Sequence, residues 1–250
     1  MTAAASRFRA TVRLLAFAWV VVSAASALVF HRRSIATRAH WLHCTCRRVL
    51  RVLGVRYSSV GTPAPGAIIV ANHVSYLDIL VLAAMKPVVF VAKREVRAWP
   101  IFGWFARSAG TRFIDRERRG DVARVAAEFG SAVAEGVSVV IFLEGTSTDG
   151  RAVKPFKSSL LAPAVEGHWP VVPAAISYAL PAGHDVATEV CWWGDMTLAP
   201  HLLHLFTLLR IHAFVAWGEA EAAMADRKLL AVTLHRRVTG LHLALAAPSS

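Results

Sequence analysis

Short apolar runs alternate with stretches of helical periodicity along most of this chain after residue 61. The runs have the length of buried strands, and glycine and proline residues separate them from the longer stretches. Strands are predicted at 67–72, 87–92, 110–115, 137–143, 170–177, 187–193 and 210–217. Helices are predicted near 76–85, 99–108, 121–135, 157–167, 196–208 and 221–239. This alternation predicts an α/β fold in which helices flank a mostly parallel central sheet.

The beginning of the chain follows a different pattern, which predicts a membrane anchor of two helices. Residues 14–30 form an uncharged apolar run at the short end of spanning length. Residues 36–54 mix apolar positions with arginines, which predicts an amphipathic basic helix on the membrane surface. The first run could instead be a signal peptide or an interfacial helix, so its depth in the bilayer stays open. We therefore expect an anchor over 1–60 and one α/β domain over 61–250.

Positive charge is concentrated in the same part of the chain. The sequence has 28 Lys and Arg against 16 Asp and Glu, and its first 77 residues contain ten arginines and no acidic residue. Such a flank attracts anionic lipid head groups, and the apolar run beside it favours lipid over nucleic acid. The positive-inside rule predicts that the large domain lies on the cytoplasmic face of a membrane. The three cysteines have neither disulfide nor zinc spacing, which favours a reducing compartment and no metal site.

The segment NHVSYLD, residues 72–78, carries the strongest candidate chemistry. His73 follows a predicted buried strand, and Asp78 stands one helical turn into the next predicted helix, so its carboxylate can reach the imidazole. A carboxylate on one ring nitrogen leaves the other nitrogen free to take a proton, which is the arrangement of a general base. Ser75 and Asp78 also have the spacing of a helix-capping box, and both interpretations can hold together. The sequence contains no G-x-S-x-G, so a serine-hydrolase triad is not supported.

Four sequence blocks in a fixed order connect this segment with a known family. NHVSYLD matches N-H-x-S-x-x-D, and it is followed by GTRFIDR at 110–116, FLEGTS at 142–147 and VVPAAIS at 171–177. With these blocks the chain resembles the lysophospholipid acyltransferase family, typified by 1-acylglycerol-3-phosphate acyltransferases, over residues 65–220. The resemblance implies that an acyl group moves from acyl-CoA or acyl-carrier protein to the free hydroxyl of a lysolipid, without a metal or redox cofactor.

The resemblance also implies roles for individual residues. His73 would deprotonate the acceptor hydroxyl and Asp78 would hold His73, so that the alkoxide attacks the thioester directly. The anionic head of the acceptor would be bound by residues of the second and third blocks, with one lysine as an additional candidate. These residues are Arg116, Glu144, Gly145, Thr146 and Lys93. For Glu144 the implied role is either acceptor binding or organisation of the site, and the backbone N–H groups around Gly145 and Thr146 could meet phosphate or the developing oxyanion. The expected surroundings are membrane lipids, and the expected location is the inner membrane of a bacterium.

Two positions of the third block depart from the family pattern F-P-E-G-T-R. Leu143 replaces the proline and Ser147 replaces the arginine. A serine hydroxyl lacks the bidentate fork that guanidinium offers to phosphate, so the acceptor phosphate is either bound by other residues or absent. Lys154 and Lys157 could supply the missing charge. The stretch EGTSTDG is similar to a branch that acylates lyso-ornithine lipid, which has no phosphate. Lysophosphatidic acid, the commonest acceptor of the family, is placed first, and lyso-ornithine lipid is the alternative.

Two other classes of protein compete with an acyltransferase. A non-catalytic basic membrane-binding protein would explain the anchor and the charge, but the joint presence of His73, Asp78 and the three later blocks argues against it. A nucleic-acid binder would explain the charge alone, and no recognition motif supports it. Two pairs of histidines at a spacing of three residues, His40 with His43 and His201 with His204, lack a third metal ligand in the sequence pattern.

Overall fold

The computed structural model of the chain describes residues 3–29, 34–63, 65–98, 102–114, 119–222 and 226–246. Its strands are β1 (Val55–Val60), β2 (Ile68–Ala71), β3 (Val88–Lys93), β4 (Arg112–Ile114), β5 (Ser138–Ile141), β6 (Val171–Ala179) and β7 (Ile211–Trp217). Its α-helices are α1 (Ala3–Val29), α2 (Ile35–Leu53), α3 (Leu77–Met85), α4 (Phe102–Ser108), α5 (Arg119–Ala134), α6 (Ala162–Glu166), α7 (Val186–Glu189), α8 (Leu198–Thr207) and α9 (Arg227–Ala246). Two 3₁₀ segments lie at Arg94–Ala98 and Ser158–Leu161.

The seven strands form one twisted layer in the order β1-β7-β6-β2-β5-β3-β4. The five strands from β6 to β4 in this order are parallel, β7 is antiparallel to β6, and β1 is parallel to β7. The central strand β2 is buried at every position, as expected for a strand with neighbours on both sides and helices on both faces. The predicted mostly parallel α/β architecture is therefore confirmed.

Helices cover both faces of the sheet. Along β2, Ile69 and Ala71 point to a core shared with α2, α3 and α8, whereas Ile68 and Val70 point to a core shared with α5, α6 and α9. This division follows from the period of two along a strand, which sends alternate side chains to opposite faces. Because the helices cover both faces, the ends of the parallel strands are the part of the sheet that is open to a ligand.

The second helix of the predicted anchor packs against protein. The apolar face of α2 is buried in the domain, and its buried residues are Ala39, Leu42, Thr45, Cys46, Val49, Leu50 and Leu53. Its ends are well formed, since Ser34 accepts from the Thr37 backbone N–H and Gly54 adopts φ 73° at the carboxyl end. The two-helix anchor is therefore not confirmed: the amphipathic pattern was correct, but its apolar side contacts α3 and the sheet instead of a membrane surface.

β1 was not predicted, and it lies inside the region assigned to the anchor. Residues 55–60 pair with β7 along their whole length, so they belong to the sheet of the domain. The sequence pattern did not predict this strand, because it is an edge strand with mostly exposed side chains and has no apolar run. The division of the chain at residue 60 stays a prediction.

α1 is the one helix among the described residues that is long and apolar enough to cross a membrane, over Ala4–Ala27. One side of it packs on the domain, where Val20 and Ala24 are buried and the Trp41 indole donates to the Ala24 carbonyl at 3.1 Å. Arg9 and Arg13 donate to carbonyls at the carboxyl end of α8. The opposite side is an exposed apolar stripe, defined by Phe8, Val12, Leu15, Trp19 and Val22.

The strand predicted at 187–193 is wrong. The segment begins with the short helix α7, because Asp185 caps it by accepting from the Ala187 backbone N–H. It continues as an irregular loop over 190–196, in which Trp192 is half-buried and Trp193 is exposed. The apolar run alone could not distinguish a strand from a short helix followed by a loop, because short runs without clear periodicity fit strand, helix and buried loop alike.

Candidate active site

The candidate site lies at the carboxyl ends of three neighbouring parallel strands. His73 follows β2, Glu144 follows β5, and Lys93 is the last residue of β3. These strands are adjacent in the order β2-β5-β3, so their ends meet at one edge of the sheet. The sheet therefore brings the first and third sequence blocks together at the edge where open α/β folds bind ligands.

Asp78 is at once a helix cap and the partner of His73. Its Oδ2 atom accepts from His73 Nδ1 at 2.8 Å, from the Val74 N–H at 2.7 Å and from the Ser75 N–H at 3.0 Å. Ser75 Oγ in turn accepts from the Leu77 N–H at 3.4 Å, which completes the start of α3. The spacing of NHVSYLD therefore produces both a contact of the capping-box kind, from the Ser75 N–H to Asp78, and the His73–Asp78 hydrogen bond, while the role of His73 as a base stays a prediction. The cap immobilises the carboxylate, and the carboxylate assigns the Nδ1 proton of the imidazole.

The ring of His73 is held from one side by an aromatic residue. Phe142 stacks on it with ring centroids 4.1 Å apart and an angle of 15° between the planes. The His73 side chain remains 18 % exposed, while that of Asp78 is fully buried. Because Asp78 occupies Nδ1, the second ring nitrogen, Nε2, is the atom left for proton transfer at the edge of the sheet.

Glu144 organises the loop that carries His73. Its Oε1 atom accepts from the His73 backbone N–H at 2.6 Å, and its Oε2 atom accepts from the Lys154 backbone N–H at 2.8 Å. The side chain is buried, and this burial raises the pKa of the carboxyl group above its ordinary value. Both oxygens are thus engaged by backbone groups of the protein, which favours site organisation over direct contact with an acceptor head group.

The other residues of the third block form the tip of the same loop. Gly145 adopts φ 77°, which glycine tolerates without a Cβ clash, and Thr146 is exposed. The backbone N–H of Thr148 donates to the His73 carbonyl at 3.0 Å. Gly145 and Thr146 therefore lie next to the loop of His73, and their role in binding stays a prediction.

Ser147 points away from the loop surface. Its hydroxyl donates to the Trp192 carbonyl, and the Trp192 N–H donates to the Val74 carbonyl at 2.8 Å. Ser147 is buried by these contacts. The residue that replaces the family's arginine therefore ties the loop over 190–196 to the loops of His73 and Glu144.

Sequence reasoning missed three residues that support the site. Asn72 clamps β2 to β6, since its amide donates to the Ile176 carbonyl at 3.0 Å and accepts from the Ile176 N–H at 2.8 Å. Phe142 stacks on His73, and Tyr178 donates its hydroxyl to Asp78 Oδ1 at 2.7 Å. Asn72 and Phe142 are the first residues of two blocks, which was the available signal. Tyr178 follows the fourth block directly, and no local pattern marks it.

The binding roles of all five predicted residues stay predictions. Arg116 lies outside the described residues, and for Lys93 only the backbone position at the end of β3 is described. Lys154 and Lys157 follow the third block, and their side chains are exposed. Within the described ranges, no group of three His, Cys, Asp or Glu side chains could hold a metal ion. His201 instead hydrogen-bonds to the Tyr76 hydroxyl at 2.9 Å and to the Cys191 carbonyl at 3.1 Å.

Comparison with known proteins agrees with this geometry. A lyso-ornithine lipid O-acyltransferase of Brucella abortus is 38 % identical over 210 residues, which are 78 % of this chain and 79 % of that protein. Its counterpart in Rhizobium meliloti is 36 % identical over 72 % of this chain, and the matched part is 65 % of that protein. A 1-acyl-sn-glycerol-3-phosphate acyltransferase of Neisseria meningitidis is 34 % identical over 59 % of this chain and 62 % of its own length.

A solved structure has the same fold. The crystal structure of a 1-acyl-sn-glycerophosphate acyltransferase from Thermotoga maritima matches with a TM-score of 0.70 and 20 % identity, over 98 % of this chain and 99 % of that one. The model of the Acyltransferase family matches residues 24–177, which include His73, Asp78 and the whole third block. This range also contains α2 and β1, in accordance with their packing in the domain. The matched range contains the loops of His73 and Glu144 at the sheet edge, and the chain belongs to the acyltransferase family.

Proposed function

We propose that this acyltransferase moves a fatty acyl group from a thioester, either acyl-CoA or acyl-carrier protein, to the free hydroxyl of a lysolipid, with His73 as general base. The observation that carries this proposal is the buried Asp78 carboxylate on His73 Nδ1 at 2.8 Å, which leaves Nε2 as the proton acceptor. Among the described residues, no serine or cysteine side chain hydrogen-bonds to the His73 ring. The base therefore serves the substrate hydroxyl directly, without an acyl-enzyme.

The reaction then proceeds in two steps. The proton of the acceptor hydroxyl moves to Nε2 of His73 as the oxygen forms a bond to the thioester carbonyl carbon. The tetrahedral intermediate collapses, the carbon–sulfur bond breaks, and the leaving sulfur takes the proton from the imidazolium as a free thiol. Asp78 stabilises the imidazolium between the two steps. No step calls for a metal or a redox cofactor.

A histidine variant tests the base. We expect His73→Asn to lower kcat by about 10²–10⁴-fold, the range typical of a lost general base, in membranes supplied with lysolipid and acyl thioester. His168→Asn is a matched control, because His168 is exposed, adopts φ 51°, which asparagine tolerates, and precedes β6 at the opposite edge of the sheet. Full activity of the His73 variant would contradict the mechanism.

For the acceptor, we place lyso-ornithine lipid before lysophosphatidic acid, which reverses the order that the family's commonest acceptor favoured. The support is the inward-facing Ser147 at the arginine position and the names of the relatives at 36–41 % identity, all lyso-ornithine lipid O-acyltransferases. An ornithine head still carries a carboxylate, which the exposed Lys154 and Lys157 could bind. Lysophosphatidic acid remains the second candidate, because the same lysines suit a phosphate and because the Neisseria relatives carry that name.

A comparison of the two acceptors decides between them. Purified protein in mixed micelles is offered lyso-ornithine lipid or lysophosphatidic acid, each with acyl-CoA and with acyl-carrier protein. We expect the higher kcat/KM for lyso-ornithine lipid, and the same four reactions identify the donor. A preference for lysophosphatidic acid with either donor would instead identify that lipid, the family's commonest acceptor, as the substrate.

We further propose that α1 attaches the protein to a membrane whose cytoplasmic side carries the domain. Its exposed apolar stripe offers a lipid-facing surface, and Leu203 and Leu209 on and after the neighbouring α8 are exposed as well. The arginines of the amino-terminal region attract anionic head groups of the cytoplasmic leaflet. This arrangement would bring the sheet edge to the membrane in which the lysolipid resides.

A further inference from the structure

Tyr178 lies on the strand next to the one that leads to His73. It is the penultimate residue of β6, which pairs with β2, and its side chain is buried. Its hydroxyl reaches Asp78 Oδ1 at a distance of 2.7 Å, across a separation of 100 residues in the sequence. This contact is as short as hydrogen bonds to a charged acceptor usually are.

The two carboxylate oxygens of Asp78 have different hydrogen-bond partners. Oδ2 accepts from the His73 ring and from two backbone N–H groups, whereas Tyr178 is the one donor that the described residues bring to Oδ1. The carboxylate is fully buried, so no solvent is available to replace a lost donor at Oδ1. Burial, together with the charge of Asp78, raises the pKa of Tyr178 well above its ordinary value, so its hydroxyl keeps the proton that it donates.

We propose that Tyr178 is a positioning residue of this acyltransferase, the third member of a chain in which Tyr178 holds Asp78 and Asp78 holds His73. The proposal rests on the proposed role of His73 as general base. Tyr178 has two effects through Asp78. It fixes the rotation of the carboxylate so that Oδ2 faces His73 Nδ1, and it draws negative charge toward Oδ1.

The second effect predicts a direction for the pH dependence. The hydroxyl of Tyr178 stabilises the free carboxylate more than a carboxylate already neutralised by an imidazolium. Without this hydroxyl, the His73–Asp78 pair therefore binds its proton more tightly. Because the pair must lose that proton before His73 can act as a base, the acidic limb of the kcat/KM profile should move to higher pH.

Tyr178→Phe is the direct test, since it removes one oxygen and keeps the ring that fills the site. We expect kcat to fall by about tenfold, as for the loss of one hydrogen bond to a charged group, with KM for both substrates nearly unchanged. We expect the acidic limb of kcat/KM to shift upward by about half a pH unit or more. Tyr57→Phe on β1 is the matched control, and it should leave both the rate and the profile unchanged.

A second variant, for which the acidic limb is expected to shift in the opposite direction, tests the proposal if Tyr178→Phe is poorly folded. A fluorinated tyrosine at position 178 has a more acidic hydroxyl, so it is a stronger donor and should move the acidic limb to lower pH. An acidic limb that stays in place in either variant, provided that the variant is folded, would overturn the proposal and leave Tyr178 as a packing residue. Activity that survives His73→Asn would instead overturn the proposed function, so the two failures are distinguishable.

Discussion

Ser147 illustrates how one side chain changes the surface that a substrate meets. Its hydroxyl is turned into the protein, toward the Trp192 carbonyl, and only 8 % of the residue is exposed. An arginine at the same backbone position would have to bury its guanidinium or push the loop over 190–196 away from Val74. Burial of a charge without a partner is costly, so this position is shaped for a small side chain.

Ser147→Arg should therefore fail to restore a phosphate site. We expect it to lower the free energy of unfolding by about 2 kcal/mol or more, since it brings a charge into a buried position, and not to raise activity on lysophosphatidic acid. Ser147→Ala is the control, which loses one hydrogen bond worth about 1 kcal/mol. Chemical unfolding in detergent and acceptor assays measure both effects. A stable arginine variant with new activity on lysophosphatidic acid would refute this account.

At the scale of elements, α8 is joined to the loop of His73 by one buried histidine. His201 accepts from the Tyr76 hydroxyl at Nδ1 and donates from Nε2 to the Cys191 carbonyl, which is the pattern of a neutral imidazole. Tyr76 belongs to the NHVSYLD segment, and Cys191 precedes the Trp192 that Ser147 contacts. Through these bonds α8 supports two of the loops that form the site.

This link predicts a pH-dependent stability. Burial lowers the pKa of His201 below its ordinary value of 6.5, so the unfolded chain binds the proton more readily than the folded protein does. The contribution of neutral His201 to the free energy of unfolding should have its full value above pH 6.5. It should decrease as the pH drops below 6.5 toward the folded-state pKa of His201. The measurement is chemical unfolding at several pH values between about 5 and 8.

Two histidine variants separate this effect from other titrations. His201→Gln should unfold more easily at neutral pH but lose part of the slope below pH 6.5. His204→Gln is the control, because His204 lies one turn further along α8 and is exposed. An unchanged slope in the His201 variant would assign the pH dependence to another group.

At the scale of the whole molecule, the first two helices differ in what covers their apolar sides. The apolar side of α2 is part of the core, so removal of residues 1–54 would take a layer from the sheet and should unfold the domain. α1 packs on the domain through one side only, and its apolar stripe is exposed. Membrane attachment is therefore better tested at the stripe than by truncation.

Charges on the stripe should weaken membrane binding without unfolding the protein. Leu15 and Trp19 are both 69 % exposed, and we expect their joint replacement by Glu to move most of the protein from the membrane fraction to the soluble fraction. Leu229→Glu with Val232→Glu on α9 is the matched control, since these residues are 56 % and 57 % exposed. Equal release of both double variants would show that α1 has no special part in attachment.

The part of the site that could be predicted from sequence is the part formed by residues close together in the chain. His73 and Asp78 meet because a helix begins between them and returns the carboxylate toward the ring, which involves only neighbouring residues. The alternation of apolar runs with helical stretches was likewise sufficient for a mostly parallel sheet, since connection length and periodicity are local properties. The strand at 187–193 was wrong and the position of α2 on a membrane surface was not confirmed, because an apolar side does not reveal what it will contact.

By itself, then, the sequence determined the pair at the end of β2, the family and the layers of the fold. Only the tertiary structure decided that Tyr178 binds Asp78 from 100 residues away, that Glu144 faces the His73 backbone from 71 residues away, and that Ser147 faces Trp192. It also decided that α2 belongs to the core while the stripe on α1 stays exposed. The physical reason is the same in each case. Such contacts depend on which strands become neighbours, and strand order in a parallel sheet is set by the packing of the whole chain.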